Sequence, residues 1–169
     1  GGYKYAMAGE GACFIHCPPG YGPRPVDTGW YAGFGQLETG VSDLVPFADD
    51  GTRFAGATYD PSGIYRLDAV LGWLESAGVT AEDVHAHVTA LQGRFLDRSP
   101  KLGELLPQLP HDRGNFLTFR SDRAGAIYDS LHQRGMITDH RGDRLRIGFG
   151  IYHDEEDVSE LLEVVADVV

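Results

Sequence analysis

Lysine is nearly absent from this chain of 169 residues. Of its 14 basic residues only Lys4 and Lys101 are lysines, against 25 acidic ones, for a net charge of −11. A surface so short of positive charge repels polyanions, which excludes nucleic acid and anionic membrane as general partners but leaves room for a local cationic pocket. Cysteine is scarce too: Cys13 and Cys17 are the only two. A disulfide scaffold needs more, so a reducing compartment fits. No apolar run approaches the roughly 18–20 residues of a membrane span. The opening Gly1-Gly2-Tyr3-Lys4 lacks the basic and apolar regions of a signal peptide. A cytoplasmic protein is the simplest expectation, and a chain starting without Met reads as a processed or cleaved product.

What is present is ordinary for a globular protein, with 42% hydrophobic and 23% charged residues. The length suits one domain with a core, or a piece of something larger. Cys13, His16 and Cys17 are three soft ligands in five residues. Cys13-Phe14-Ile15-His16 reads as a strand, whose alternation sends neighbours to opposite faces. With no second ligand cluster to complete a tetrahedral site, a buried strand with small thiols is the expectation, and no metal.

Residues 1–24 are glycine-rich, with a short strand expected near Ala12–His16 and ended by Pro18-Pro19-Gly20. Residues 25–60 read as irregular connections. So long a loop-rich stretch is uncommon in a self-contained domain and often carries function. Ile64, Leu67, Val70, Leu71 and Leu74 then predict a helix stopped near Gly78. Thr80 predicts the N-cap of a second helix carrying Val84, Val88, Leu91 and Phe95, with acidic residues in its first turn. A polar connector is expected from Asp97 to Arg113. Beyond it the pattern predicts a strand over Asn115–Phe119, a helix over Arg123–Gln133 ended by Gly135, and a short strand at Met136–Thr138. A further strand over Leu145–Phe149 and a closing helix over Asp154–Val169 complete it. Alternating strands and helices make this a small layered α/β domain.

Four segments carry candidate chemistry. Lys4 stands among glycines and aromatics in Gly1-Gly2-Tyr3-Lys4-Tyr5. A lysine becomes a nucleophile when desolvation or a neighbouring cation deprotonates it, while the bland reading is a lysine snorkelling at a strand end. Arg146 lies inside the apolar strand Leu145-Arg146-Ile147-Gly148, where a planar fork suits bidentate carboxylate recognition. An internal Asp or Glu is the default partner on local grounds. Gly56-Ala57-Thr58 before a helix start is a phosphate contact or a capping sequence. Gly29-Trp30-Tyr31-Ala32-Gly33-Phe34 faces a ligand or anchors a loop on a core. Lys101, after Pro100 in the connector, reads as solvated.

Taken in order, Tyr3-Lys4-Tyr5, Gly29-Trp30, Gly56-Ala57-Thr58 and Leu145-Arg146-Ile147-Gly148 resemble the pyridoxal-phosphate (PLP) enzymes of the class V aminotransferase fold, fold type I. Kynureninase-like enzymes are the nearest within it, notably at Tyr3-Lys4-Tyr5 and at Arg134-Gly135-Met136-Ile137-Thr138-Asp139-His140-Arg141. The resemblance covers nearly the whole chain. It implies that residues 1–62 end the large PLP-binding domain with its active-site loops. Residues 63–169 would then form linking helices and the small C-terminal α/β domain.

By the same resemblance, Lys4 would hold PLP as a Schiff base and shuttle protons, with Tyr3 and Trp30 near the cofactor phosphate. Thr58 would reach that phosphate from a neighbouring subunit, in a homodimer with shared sites, and Arg146 would bind the α-carboxylate of an amino-acid substrate. The chain departs from kynureninases at Tyr31-Ala32-Gly33-Phe34 and at Ala57-Thr58-Tyr59. Cysteine desulfurases share the fold but need a late loop cysteine, and none follows Cys17. Hydrolysis and transamination both use the same lysine and arginine. The family's large N-terminal domain supplies the aspartate for the pyridine nitrogen and most phosphate donors. The expectation is that this segment alone binds PLP weakly and turns over nothing. Two rivals make different demands. A stand-alone α/β binding module predicts an exposed Lys4 and an Arg146 paired with an internal carboxylate, while an inactive homologue would have lost a catalytic group upstream.

Overall fold

A computed structural model describes residues 1–38, 43, 46–107 and 114–169. The chain divides into two compact units, Gly1–Val70 and Leu71–Val169.

The first unit is built from loops. The Gly2 N–H donates to the Ala12 carbonyl and the Ala8 N–H to that of Gly2, so residues 2–12 close on themselves. Inside the loop Met7 N–H donates to the Lys4 carbonyl at 2.8 Å, a tight turn that puts Met7 in the left-handed region at φ 55°. The first turns of helix α1 (Ser62–Ser76) hold this loop. Leu67 packs on Ala8 and Ala12. Arg66 donates to the carbonyls of Ala8 and Glu10, satisfying backbone acceptors that no ladder serves. Gly63 is required there, because a Cβ would collide with the Gly11 backbone. Trp30–Gln36 and Gly51–Phe54 form short 3₁₀ turns, so residues 25–60 are irregular as the composition predicted; residues 39–42 and 44–45 of that stretch lie outside the described residues.

Two expectations fail in this unit. No strand forms at Ala12–His16: the segment has the residues for one, but among the described residues of the unit no second strand exists to bond with it, and unpaired backbone gains nothing from extending. Phe14 and Ile15 are exposed, and Cys13 with them, so the thiols are not sealed in a strand. The apolar stripe of α1 is also only partly buried. Leu67 is covered, whereas Ile64 and Leu71 are exposed; the periodicity gave the helix correctly, but periodicity cannot say what packs on it.

The second unit takes in the last part of α1, from Leu71 on. Gly78, at φ 68°, closes that helix: its N–H donates to Glu75 and the Val79 N–H to Leu74, the paired bonds of a Schellman motif. Helix α2 (Ala81–Arg98) opens with a capping box in which Thr80 and Asp83 exchange bonds, and it buries Val88, Leu91 and Phe95 along one face. Strands β1 (Glu104–Leu105), β2 (Phe116–Arg120), β3 (Asp139–Arg141) and β4 (Arg144–Gly148) form one antiparallel sheet in the order β1-β2-β4-β3. Helix α3 (Ala124–Gln133) lies between β2 and β3 in sequence, and helix α4 (Glu155–Val168) follows β4, capped by Asp154 in a second capping box with Asp157.

Side chains alternate across this sheet. Leu117 and Phe119 of β2 stand opposite Ile147 and Leu145 of β4, and these four join Val88, Leu91, Phe95, Ile127, Leu131, Val158 and Val165 in one core. Phe95 is central, with Phe119 and Phe149 rings at 6.3 and 5.9 Å. The opposite face carries Phe116, Thr118 and Arg120 of β2, with Arg144 and Arg146 of β4. This is the small layered α/β domain expected, with a wholly antiparallel sheet.

Strand positions needed correction at two places. β1 lies inside the expected connector, because Leu102 enters the core and Glu104 and Leu105 pair with the edge of β2; residues 108–113 of the connector lie outside the described residues. The strand expected at Met136–Thr138 falls instead at Asp139–Arg141. Gly135, at φ 83°, ends α3 with bonds from Gly135 to His132 and from Met136 to Leu131, so Met136 is still leaving the helix. The two-residue Gly142-Asp143 turn then sets the register by placing Arg141 opposite Arg144, with Gly142 at φ 60° as a tight hairpin requires.

Candidate functional site

Lys4 projects from the tight turn described above and is exposed; its Nζ lies 5.4 Å from the centre of the Tyr3 ring. Its backbone is fixed by the Met7 bond and, through Ala8 and Glu10, by Arg66. Arg66 is a positional anchor that the sequence reading passed over. Its signal was present in the spacing of Gly63, Arg66 and Leu67, three and four apart on one helix face.

The segments that carry Trp30 and Thr58 touch through Gly29 and Gly56. A Cβ on Gly29 would collide with the Gly56 carbonyl, so the Gly29-Trp30 segment and the Gly56-Ala57-Thr58 turn touch where only glycine fits. The Thr28 hydroxyl ties the same two strands of chain, donating to the carbonyls of Arg53 at 2.9 Å and Ala55 at 3.3 Å. Trp30 and Thr58 are both exposed, and the Trp30 ring sits edge-on to Tyr31 and Phe34 at 5.4 and 5.7 Å. Beyond Thr58, Asp60 accepts from both the Ser62 hydroxyl and its N–H. Those bonds, the hydroxyl first, hold the Asp60 carboxyl below the ordinary carboxylate range. Residues of Cys13–Gly20, with Asp49, Asp50, Gly51, Arg53, Phe54 and Ala55, line a cleft of about 760 Å³.

Arg146 belongs to the second unit. It stands on the sheet face away from the helices, between Thr118 on β2 and Asp139 on β3. Its Nη1 donates to Asp139 Oδ2 at 3.3 Å, and its guanidinium carbon lies 5.4 Å from the Phe116 ring centre. Arg141 Nε reaches the same Oδ2 at 3.4 Å. Asp139 was not singled out from sequence, yet the Gly142-Asp143 turn pairs Arg141 with Arg144 and so puts Asp139 beside Arg146. The exposed Lys4 and the Asp139–Arg146 pair are the two features the binding-module reading asked for.

The residues that the resemblance assigns to a phosphorylated ring carry the following groups. Trp30 offers an indole N–H and Thr58 a hydroxyl, both beside a backbone crossing stripped of side chains. Lys4 supplies the amine. The second unit defines a class by itself: a small α/β domain presenting an arginine on the outer face of its antiparallel sheet. Residues 82–165, about half of the chain, match the family model of the kynureninase C-terminal domain. Over that stretch the chain belongs to the kynureninase C-terminal domain family. No curated protein matches the chain. Among the described residues no helix is long and apolar enough to cross a membrane.

Proposed function

We propose that this chain is part of a PLP-dependent enzyme acting on an amino acid, with kynureninase-like hydrolysis beside a carbonyl as the reaction. The observation that carries the reading is the match of residues 82–165 to the kynureninase C-terminal domain, joined to a lysine turn in the preceding unit. Tyr3 and Trp30 lie near the cofactor's phosphate, and Thr58 reaches that phosphate from the neighbouring subunit. When bound, PLP supplies an electron sink for charge developing next to the substrate's amine. Lys4 Nζ holds the cofactor and then takes and returns a proton at the substrate carbon. Arg146 binds the α-carboxylate through charge-assisted bonds and so fixes which substrate bond faces the ring. A homodimer sharing its sites and residues 1–62 as the end of a larger cofactor domain complete the proposal.

The test is spectroscopic. The longest natural polypeptide containing this chain gains a visible absorption band with PLP, and Lys4→Ala eliminates it. A band that persists in the variant contradicts the assignment of Lys4.

A second reading, a binding module with structural charges, draws on the exposed Lys4 and the Asp139–Arg146 pair. It requires that PLP produce no band in the wild type.

A further inference from the structure

Arg146 is flanked by side chains of its own sheet. Asp139 is its direct cross-strand neighbour on β3, Thr118 its neighbour on β2, and the Phe116 ring lies 5.4 Å from its guanidinium carbon. The bond to Asp139 uses Nη1. A side-on bidentate pair with a carboxylate uses the other edge of the fork, Nε and Nη2. Asp139 Oδ2 is itself shared with Arg141 Nε at 3.4 Å, so a second cation steadies the carboxylate and divides its pull on Arg146.

We propose that Asp139 is a positioning residue for Arg146: it holds Nη1 against β3 and presents the Nε–Nη2 edge to the carboxylate of a substrate. This rests on the reading of Arg146 as the carboxylate clamp. An arginine side chain carries about 2 kcal/mol of rotamer entropy, and a fork already fixed in its plane loses less of it on binding. Arg141 keeps Asp139 from acting as a rival anion, because the negative charge next to the clamp is already shared between two guanidinium groups. Arg146 is about one-third exposed and Asp139 about one-half, so their pair contributes at most about 1 kcal/mol to stability. Replacing Asp139 therefore leaves the fold intact.

The experiment measures binding of ¹³C-labelled propionate to the full chain by ligand-observed NMR, for wild type, Asp139→Ala, Asp139→Asn and Arg146→Gln, each first shown to keep the wild-type denaturation midpoint. Asparagine retains an acceptor for Nη1, and alanine does not. The expected result is loss of binding in Arg146→Gln, at least threefold weaker binding in Asp139→Ala, and near wild-type binding in Asp139→Asn. Alanine and asparagine variants that behave alike, or an alanine variant that binds as well as or better than wild type, overturn the positioning role while the clamp reading stands. Unchanged binding in Arg146→Gln overturns the clamp reading itself. In the natural polypeptide with PLP, the same substitution at Asp139 raises KM and leaves kcat near its wild-type value; a fall in kcat alone contradicts the proposal.

Discussion

The two units solve the problem of burial in opposite ways. In residues 71–169 a sheet and its helices close over Phe95, Leu117, Leu131, Leu145, Ile147 and Val165, a core of large side chains contributed by α2, β2, α3, β4 and α4. Among the described residues of 1–70 the buried apolar side chains are Ala8, Ala12, Ala32 and Leu67, while Tyr3, Tyr5, Phe14, Ile15, Trp30 and Tyr59 stay exposed. Burial supplies most of the stabilisation of a domain, so the second unit has the means to specify its own shape. The first depends on backbone bonds, Arg66 and glycine contacts. Lys4, Tyr3, Trp30 and Thr58 all belong to the loop-built unit, whereas Arg146 rides on the core-built one. Loops carry reactive groups more freely than packed elements do, and the proposed assignment puts its cofactor contacts on the loops.

The comparison breaks most visibly at Phe95. Phe95→Ala removes the side chain around which Phe119 and Phe149 pack and costs about 3–5 kcal/mol, read as a fall in the urea midpoint by far-UV circular dichroism; a loss below about 1 kcal/mol would mean the second unit has no such core. A smaller effect is expected at Gly135. Alanine there must adopt a left-handed conformation and costs about 1–2 kcal/mol, whereas alanine at Gly93, inside α2 with open space around it, gains up to about 1 kcal/mol in the same assay. Equal effects at the two sites would contradict the backbone assignment.

Thr80→Ala removes one half of the capping box and costs about 1 kcal/mol. It also alters the pH dependence. The Thr80 N–H and then its hydroxyl hold the Asp83 carboxyl below 3.8, so the unfolded chain binds that proton more tightly. The contribution is therefore complete above the unfolded value and is lost as pH falls through the depressed folded one. Acid titration of the wild type should show this loss below about pH 4, and Thr80→Ala should reduce it. The smallest perturbation sharpens the contrast between units: in hydrogen exchange, amides of Val88–Phe95 and Leu145–Ile147 outlast those of Phe14–Cys17. Comparable protection in both segments would contradict the difference in burial.

Much of the second unit was legible in the sequence because local signals and packing agree there. Thr80 and Gly135 mark helix ends by chemistry that acts over a few residues, and the stripes of α2 and α4 meet a sheet that buries them. Strand placement failed where register is set at a distance, as at β3, which the Gly142-Asp143 turn aligns with β4. In the first unit the pattern Ala12–His16 had the composition of a strand without a partner, and the stripe of α1 had the period of a buried face without a cover. Of the candidate site, the residue types were readable and the contacts were not. Nothing local to Lys4 announces Arg66, sixty-two positions on, and Arg146 shows its partner only when the hairpin is folded.

The most direct test of the account is borohydride reduction of the longest natural polypeptide containing this chain, incubated with PLP, followed by peptide mapping. A phosphopyridoxyl mass on the peptide carrying Lys4 is the predicted result. Reduction that labels another lysine, or none while PLP is present, would contradict the assignment of Lys4 and of the chain as part of a PLP-dependent enzyme acting through it.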